Sequence, residues 1–195
     1  MQQRIRILGI SGSTRSASLN TKLLHALSKL APDDVEVEVL EGLEKLPFYN
    51  EDFEGENLPP SVVELRKKVA AADGIIISSP EYNYSFSALT KNTIDWLSRP
   101  YAKGVLSDMP VAITGASPGV LGTVRSQNQL RQVLHATNSK VLSRPEVYIG
   151  GAHAKFDTDG AFTEEAGRKM LIELIHNLIS LIEKTRENQP SELAS

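Results

Sequence analysis

Two short segments carry the residue types that could do chemistry. Residues 9–20 read Gly-Ile-Ser-Gly-Ser-Thr-Arg-Ser-Ala-Ser-Leu-Asn and follow an apolar run. Ser11, Ser13, Thr14, Ser16 and Ser18 supply hydroxyls, Gly12 permits a tight turn, Arg15 adds a forked cation and Asn20 an amide. A helical pattern opens at about Ser18, so free backbone N–H groups and the positive end of a helix dipole point at the same place. That combination suits a phosphate monoester. The segment lacks the Gly-Lys-Ser/Thr end of a Walker loop and does not match Gly-x-Gly-x-x-Gly. Alone, it could equally be a Ser-rich helix cap.

The second segment, Ser79-Pro80-Glu81-Tyr82-Asn83-Tyr84-Ser85, also follows an apolar run. Pro80 stiffens the exit. Glu81, Tyr82 and Asn83 then offer backbone amides, a ring and a side-chain amide. A flat heterocycle could stack beside Tyr82 or Tyr84 and bond to this backbone. The plainer alternative is a turn whose tyrosines cover the edge of the core.

A third constellation, Gly115-Ala116-Ser117-Pro118-Gly119, fits the nucleophile-elbow pattern, with Asp157 and His176 following in hydrolase order. It fails on one atom. The residue after the nucleophile must give its N–H to the oxyanion hole, and Pro118 has none. His25, His135, His153 and His176 lack ligand spacing, so no metal site is expected.

The elements that position these segments follow from periodicity. Arg4 to Ile10 reads as a buried strand. A helix from about Ser18 to Leu30 has Leu19, Leu23, Leu27 and Leu30 on one stripe. Val35, Val37 and Val39 alternate with Glu36 and Glu38, which marks a strand at a sheet edge. Residues 41–60 form a long acidic loop. Ser61, with Glu64, suggests a capped helix to about Ala72. Ile75-Ile76-Ile77 marks a central parallel strand. Further helices are expected at about 87–97, 122–136 and 163–187, and further strands at 109–114 and, interrupted by Pro145, at 141–149. Strands alternating with helices argue for an α/β fold, a parallel sheet covered on both faces. Ligands then sit outside the carboxyl ends of the strands.

Bulk properties exclude much else. The 195 residues hold no cysteine, so disulfides, thiolate metal sites and thiol redox catalysis are out; any redox chemistry needs a bound cofactor. A net charge of −3 gives no reason to expect nucleic acid or an anionic membrane as partner. No apolar run approaches spanning length, and Met1-Gln2-Gln3 leads straight into a strand. A cytoplasmic protein is expected, with one domain over 1–188 and a polar tail over 189–195. Between Asp33 and Glu56 the charges are acidic apart from Lys45. That stretch is either a solvated edge or a docking patch for a basic redox partner, and its Phe48, Tyr49 and Phe53 could cover a partner subunit or the ligand.

Four motifs occur in order: Gly-Ser-Thr-Arg-x-x-Ser-x-Asn at 12–20, Pro-Glu-Tyr-Asn-Tyr-Ser at 80–85, Lys91-Asn92-x-x-Asp95-Trp96-Leu97-Ser98-Arg99, and Ser117-x-Gly119-x-x-Gly122-x-x-Arg125. Together they resemble the NADPH-dependent FMN reductase family, which includes quinone, chromate and azo-dye reductases. The resemblance implies a flavodoxin-like three-layer sandwich with a five-stranded parallel sheet of order 2-1-3-4-5 and helices on both faces. It implies that Ser13, Arg15, Ser18 and Asn20, with Thr14 and Leu19 in the same loop, bind the FMN phosphate. It places Pro80, Glu81, Tyr82, Asn83 and Tyr84 along the isoalloxazine and Ser117 near the ring from the other side. The implied activity is transfer of two electrons from NADPH or NADH, through the flavin, to a quinone or similar small-molecule acceptor, with no catalytic side chain. The implied assembly is a homodimer or homotetramer. A flavodoxin-like electron carrier and an FMN-binding sensor are the alternatives. Many relatives have Gly-Gly where this chain has Gly122-Thr123, so Thr123 is expected to narrow the substrate space.

Overall fold

The computed structural model describes residues 4–188. Strand β1 (Ile5–Ser11) is buried at every position except Arg6. Strands β3 (Gly74–Ser78) and β6 (Pro110–Ala116) are buried throughout. Strands with no exposed face are what a parallel sheet covered on both sides requires. Strand β2 (Val35–Val39) buries Val35 and Val37 while Glu36 stays exposed, and it lies at the sheet edge beside β1. Next to β6, the last sheet position is shared by β7 (Lys140–Val141) and β8 (Val147–Ile149), both parallel to β6. The interruption expected at Pro145 falls between them. Counting that split strand once, the order is the expected 2-1-3-4-5.

Helix α1 (Leu19–Leu30) packs on one face of the sheet with α5 (Glu165–Glu187). Helices α2 (Pro60–Ala70), α3 (Ala88–Leu97) and α4 (Val124–Ala136) cover the other. Leu171, Leu174, Ile175, Leu178 and Ile182 form the buried stripe of α5, as the periodicity requires. The Asn92-x-x-x-Trp96 spacing has a structural purpose. One helical turn apart on α3, both donate to the Pro47 carbonyl, at 2.9 and 2.8 Å, and Asn92 Oδ1 accepts from the Tyr49 N–H at 2.7 Å. These bonds fasten the acidic 41–58 segment to the domain.

Local details differ from the sequence expectation. Helix α2 starts at Pro60, with Pro59 at the cap and no side-chain cap bond, so Ser61 lies inside the first turn; proline at the first helical position supersedes a serine cap. Strand β6 runs on to Ala116, and α4 starts at Val124. Residues 81–86 form an antiparallel hairpin, β4 (Glu81–Tyr82) and β5 (Ser85–Phe86), where only a turn was expected. The polar tail, 189–195, lies outside the described residues.

The carboxyl ends of β3 and β6 approach closely. A Cβ on Gly115 would collide with Thr123 Oγ1 and lie 2.6 Å from the Ser79 carbonyl oxygen. Gly115→Ala is therefore expected to destabilise by about 1–3 kcal/mol through overpacking. Thermal unfolding should show a Tm lower by several degrees; an unchanged Tm would mean the two strand ends separate freely.

Candidate functional site

Helix α1 begins with an open N-terminus. Ser18 caps it, its Oγ accepting from the Thr21 N–H at 3.2 Å. Among the described residues, the N–H groups of Thr14, Ser16, Ala17, Leu19 and Asn20 have no hydrogen-bond partner. The first turn of α1 carries no acid. Arg15 is exposed and, among the described residues, forms no ion pair. The loop is held from beneath. Gly12 N–H donates to the Ser78 carbonyl at 2.8 Å. A Cβ at Gly12 would lie 2.9 Å from the Ser79 and Ser87 hydroxyls and collide with that of Thr90, so only glycine lets the loop lie this low. A cleft of about 400 Å3 borders it, with Thr14, Arg15 and Ser16 on one side and Gly42 to Lys45 on another.

The hairpin after β3 is rigid and strained. Its two turn residues, Asn83 and Tyr84, have φ of 51° and 67°. Positive φ at both central positions is the geometry of the favoured two-residue hairpin turn. It suits asparagine far better than tyrosine, and such strain persists where surrounding contacts enforce it. Here α4 does so. Gln129 Nε2 donates to the Tyr84 carbonyl at 3.1 Å, and Ser85 Oγ donates to Gln129 Oε1 at 2.6 Å. The Arg125 guanidinium lies 4.3 Å from the Tyr84 ring centre. The rings of Tyr82 and Tyr84 stay half or more exposed.

Glu81 serves a purpose the sequence did not suggest. Its Oε2 accepts from the backbone N–H groups of Arg125 at 3.0 Å and Ser126 at 3.2 Å, and Oε1 faces Arg125 Nη1 at 3.4 Å. Thr123, at the cap position of α4, makes no side-chain cap bond. The Glu81 carboxylate is therefore the cap of α4, and only its backbone is left for the ring edge.

The third loop, 117–123, packs on the segment after β8. Ser117 N–H donates to the Ile149 carbonyl at 2.9 Å, and Ala152 N–H to the Ser117 carbonyl at 3.0 Å. The Ser117 hydroxyl accepts from the Gly119 N–H at 3.1 Å. Val120 and Leu121 point to solvent. Thr123 overturns the expectation that it narrows the substrate space. It is fully buried, its Oγ1 accepts from Gln127 Nε2 at 2.9 Å, and its hydroxyl and methyl group together occupy the room left by Gly115. His176 lies exposed on α5 and donates nothing to Ser117, so the nucleophile-elbow match has no base.

Asn20 is only 3% exposed and bridges β3 and β6. Its Oδ1 accepts from Ser78 Oγ and the Ala116 N–H, both at 2.9 Å, and its Nδ2 donates to the Ala116 carbonyl at 3.1 Å. The structure thus brings the three loops together and leaves Ser13, Thr14, Arg15 and the Leu19 N–H toward solvent, with Asn20 folded beneath them. Ser78, Gln129 and the α4 N–H groups were missed. The i, i+4 spacing of Arg125 and Gln129, which puts both on one face of α4, was the one available hint.

Phe48 and Phe53 are exposed, while Tyr49 stacks edge-on against Trp96 at 5.1 Å and bonds Glu54 at 2.6 Å. The hydrogen bond to the Glu54 carboxylate, then burial, push the Tyr49 phenol above its ordinary pKa. Burial, reinforced by Glu146, does the same to Tyr148, beside the third loop. Both stay protonated at neutral pH. No helix of the described residues is long and apolar enough to cross a membrane.

An open helix N-terminus, an arginine with no ion pair among the described residues and an aromatic lip are features suited to a ligand with a phosphate and a flat ring. Comparison with known proteins agrees. Residues 5–154 match the family model for NADPH-dependent FMN reductase. The chain is 38% identical to an NAD(P)H-dependent FMN reductase of Pseudomonas aeruginosa over 95% of its length and 100% of the relative's. It is 35% identical to a 2-hydroxy-1,4-benzoquinone reductase of a Burkholderia species, over 86% of its own length and 90% of the relative's. The solved structure of FerB, a flavoenzyme NAD(P)H:(acceptor) oxidoreductase from Paracoccus denitrificans, superposes with a TM-score of 0.85 at 35% identity, covering 93% of this chain and 98% of that one. The chain belongs to the NADPH-dependent FMN reductase family; it is a flavodoxin-like oxidoreductase.

Replacing the Glu81 cap should destabilise the fold. Glu81→Ala is expected to cost about 1–2 kcal/mol, read as a lower urea midpoint at unchanged slope. Glu81→Gln, which keeps an acceptor oxygen, should lose less. Equal losses for the two variants would argue that the cap bonds contribute nothing.

Proposed function

We propose that residues 1–188 form one FMN-binding domain that passes two electrons from NADPH or NADH to quinones or similar small electrophiles. The observation that carries the residue assignment is the contrast between two helices. The N-terminus of α4 is closed by Glu81, and that of α1 is open beside Arg15, which forms no ion pair among the described residues. FMN, when bound, supplies the hydride-carrying ring. Arg15 neutralises the phosphate. The hydroxyls of Ser13, Thr14 and Ser18 and the N–H groups of Thr14, Leu19 and Asn20 donate to it, a dense set of charge-assisted bonds. Pro80 fixes the exit of β3, and the backbone of Glu81, Tyr82 and Asn83 follows the ring edge. Tyr82 and Tyr84 give one wall of the reaction space, and Ser117 faces it from the other side. Backbone N–H donors near the ring favour accumulating negative charge electrostatically. The chain needs no acid or base of its own, because solvent can exchange the protons.

Donor and acceptor then use one space in turn. Val120 and Leu121, both exposed on the third loop, give that space an apolar rim suited to a planar acceptor. A cytoplasmic setting is part of this reading, and the exposed Phe48 and Phe53 support assembly as a homodimer or homotetramer. 

Two measurements test this reading. Initial rates with NADPH and 1,4-benzoquinone should give parallel double-reciprocal lines; intersecting lines would show that both substrates bind together. Arg15→Ala should weaken FMN binding about 10–100-fold, the scale of one lost charge-assisted contact, with kcat of the fully loaded enzyme little changed. Normal FMN affinity in that variant would remove Arg15 from the phosphate site.

A further inference from the structure

We infer that the Asn20 side chain positions the flavin ring and is not a ligand of the phosphate, which meets only the backbone N–H of this residue. The inference rests on the FMN site proposed above and assigns one of its residues differently. Strand β3 pairs with β6 only as far as Ser78 opposite Thr114. Beyond that point β3 departs through Ser79 and Pro80, while β6 continues to Ala116. On this side the Ala116 peptide groups have lost their strand neighbour. Asn20 replaces it, accepting from the Ala116 N–H at 2.9 Å and donating to the Ala116 carbonyl at 3.1 Å. A primary amide offers the same donor and acceptor pair as a peptide group, so one side chain continues the ladder. The same Oδ1 accepts from Ser78 Oγ at 2.9 Å. Both Oδ1 lone pairs and one Nδ2 proton are thereby committed within a buried site.

The consequence is geometric. Asn20 fixes where β6 releases the loop bearing Ser117, relative to where β3 releases the Pro80–Tyr84 hairpin. Those two loops flank the ring, whereas Arg15 and the open N–H groups face the phosphate. Asn20 thus sets the width of the ring slot from beneath, anchored in the helix that carries the phosphate loop.

FMN and riboflavin differ only in the phosphate, so their affinities separate the two roles. Fluorescence titrations would use both ligands with the full-length protein. Asn20→Ser should weaken FMN and riboflavin by the same factor, about tenfold for the lost buried pairing. It should also shift the visible circular dichroism of the bound flavin. Arg15→Ala should weaken FMN alone and leave that spectrum unchanged. Leu178→Ala, a core change on α5, should lower Tm without altering the spectrum or the FMN-to-riboflavin ratio. If Asn20→Ser weakens FMN but not riboflavin, Asn20 is a phosphate ligand and the inference is wrong. If Arg15→Ala fails to separate the two flavins, the phosphate assignment itself has failed. Should Asn20→Ser not fold, Ser78→Ala removes one bond to Oδ1. A smaller loss, equal for both flavins, supports the inference; a loss confined to FMN overturns it.

Discussion

The backbone N–H groups at the start of a helix must find acceptors, and this requirement organises the whole site. Three helices, α1, α3 and α4, begin at the carboxyl ends of the central strands, and α3 is capped by its own Ser87, packed against Ser79 beneath Gly12. Helix α4 receives the Glu81 carboxylate from its own chain, which folds the residues after β3 into a hairpin and ties them down. Helix α1 receives one hydroxyl, from Ser18, and keeps the rest of its first turn open. A chain with two open helix ends could bind an anion in either place. With α4 closed, the open start of α1 is the address proposed for the phosphate, and the hairpin that closes α4 is the proposed lip for the ring.

The loops around that address are held at fixed spacing by contacts that tolerate little change. Gly12 and Gly115 allow approaches that a methyl group would forbid. Asn20 ties α1 to both central strands, and Gln129 holds a tyrosine in a backbone conformation it would otherwise avoid. The Asn20 bonds are buried, and a buried hydrogen-bonded network rigidifies a structure and specifies one arrangement. Rigidity suits the proposed site, in which the side chains perform no proton transfer. Placement of the ring against donor and acceptor is then the protein's main contribution to rate.

Much of this was legible in the sequence. The alternation of Val35 to Val39 placed an edge strand, the isoleucine run placed a central one, and serines ahead of a leucine stripe marked the loop that opens α1. The unread parts share one cause: they depend on contacts between residues far apart in the chain. Glu81 caps a helix that starts 43 residues later, at Val124. Asn20 pairs with a backbone 96 residues away, and nothing in its local spacing distinguishes that from binding a phosphate. Thr123 stood out as a departure in a glycine-rich loop, yet only the position of Gly115 reveals that it points inward. Ser61 misled because a serine three residues before a glutamate fits a capping box, while the prolines before it already start the helix.

The central claim is that this fold holds FMN so that a nicotinamide can reduce it and a small electrophile can reoxidise it. An anaerobic titration of the FMN-loaded protein tests this most directly, with the visible spectrum followed as NADPH or NADH is added. One equivalent of donor should bleach the flavin fully, and one equivalent of 1,4-benzoquinone should restore the oxidised spectrum. A bound flavin that stays oxidised under excess NADPH and NADH would contradict the claim and leave a carrier or sensor in its place.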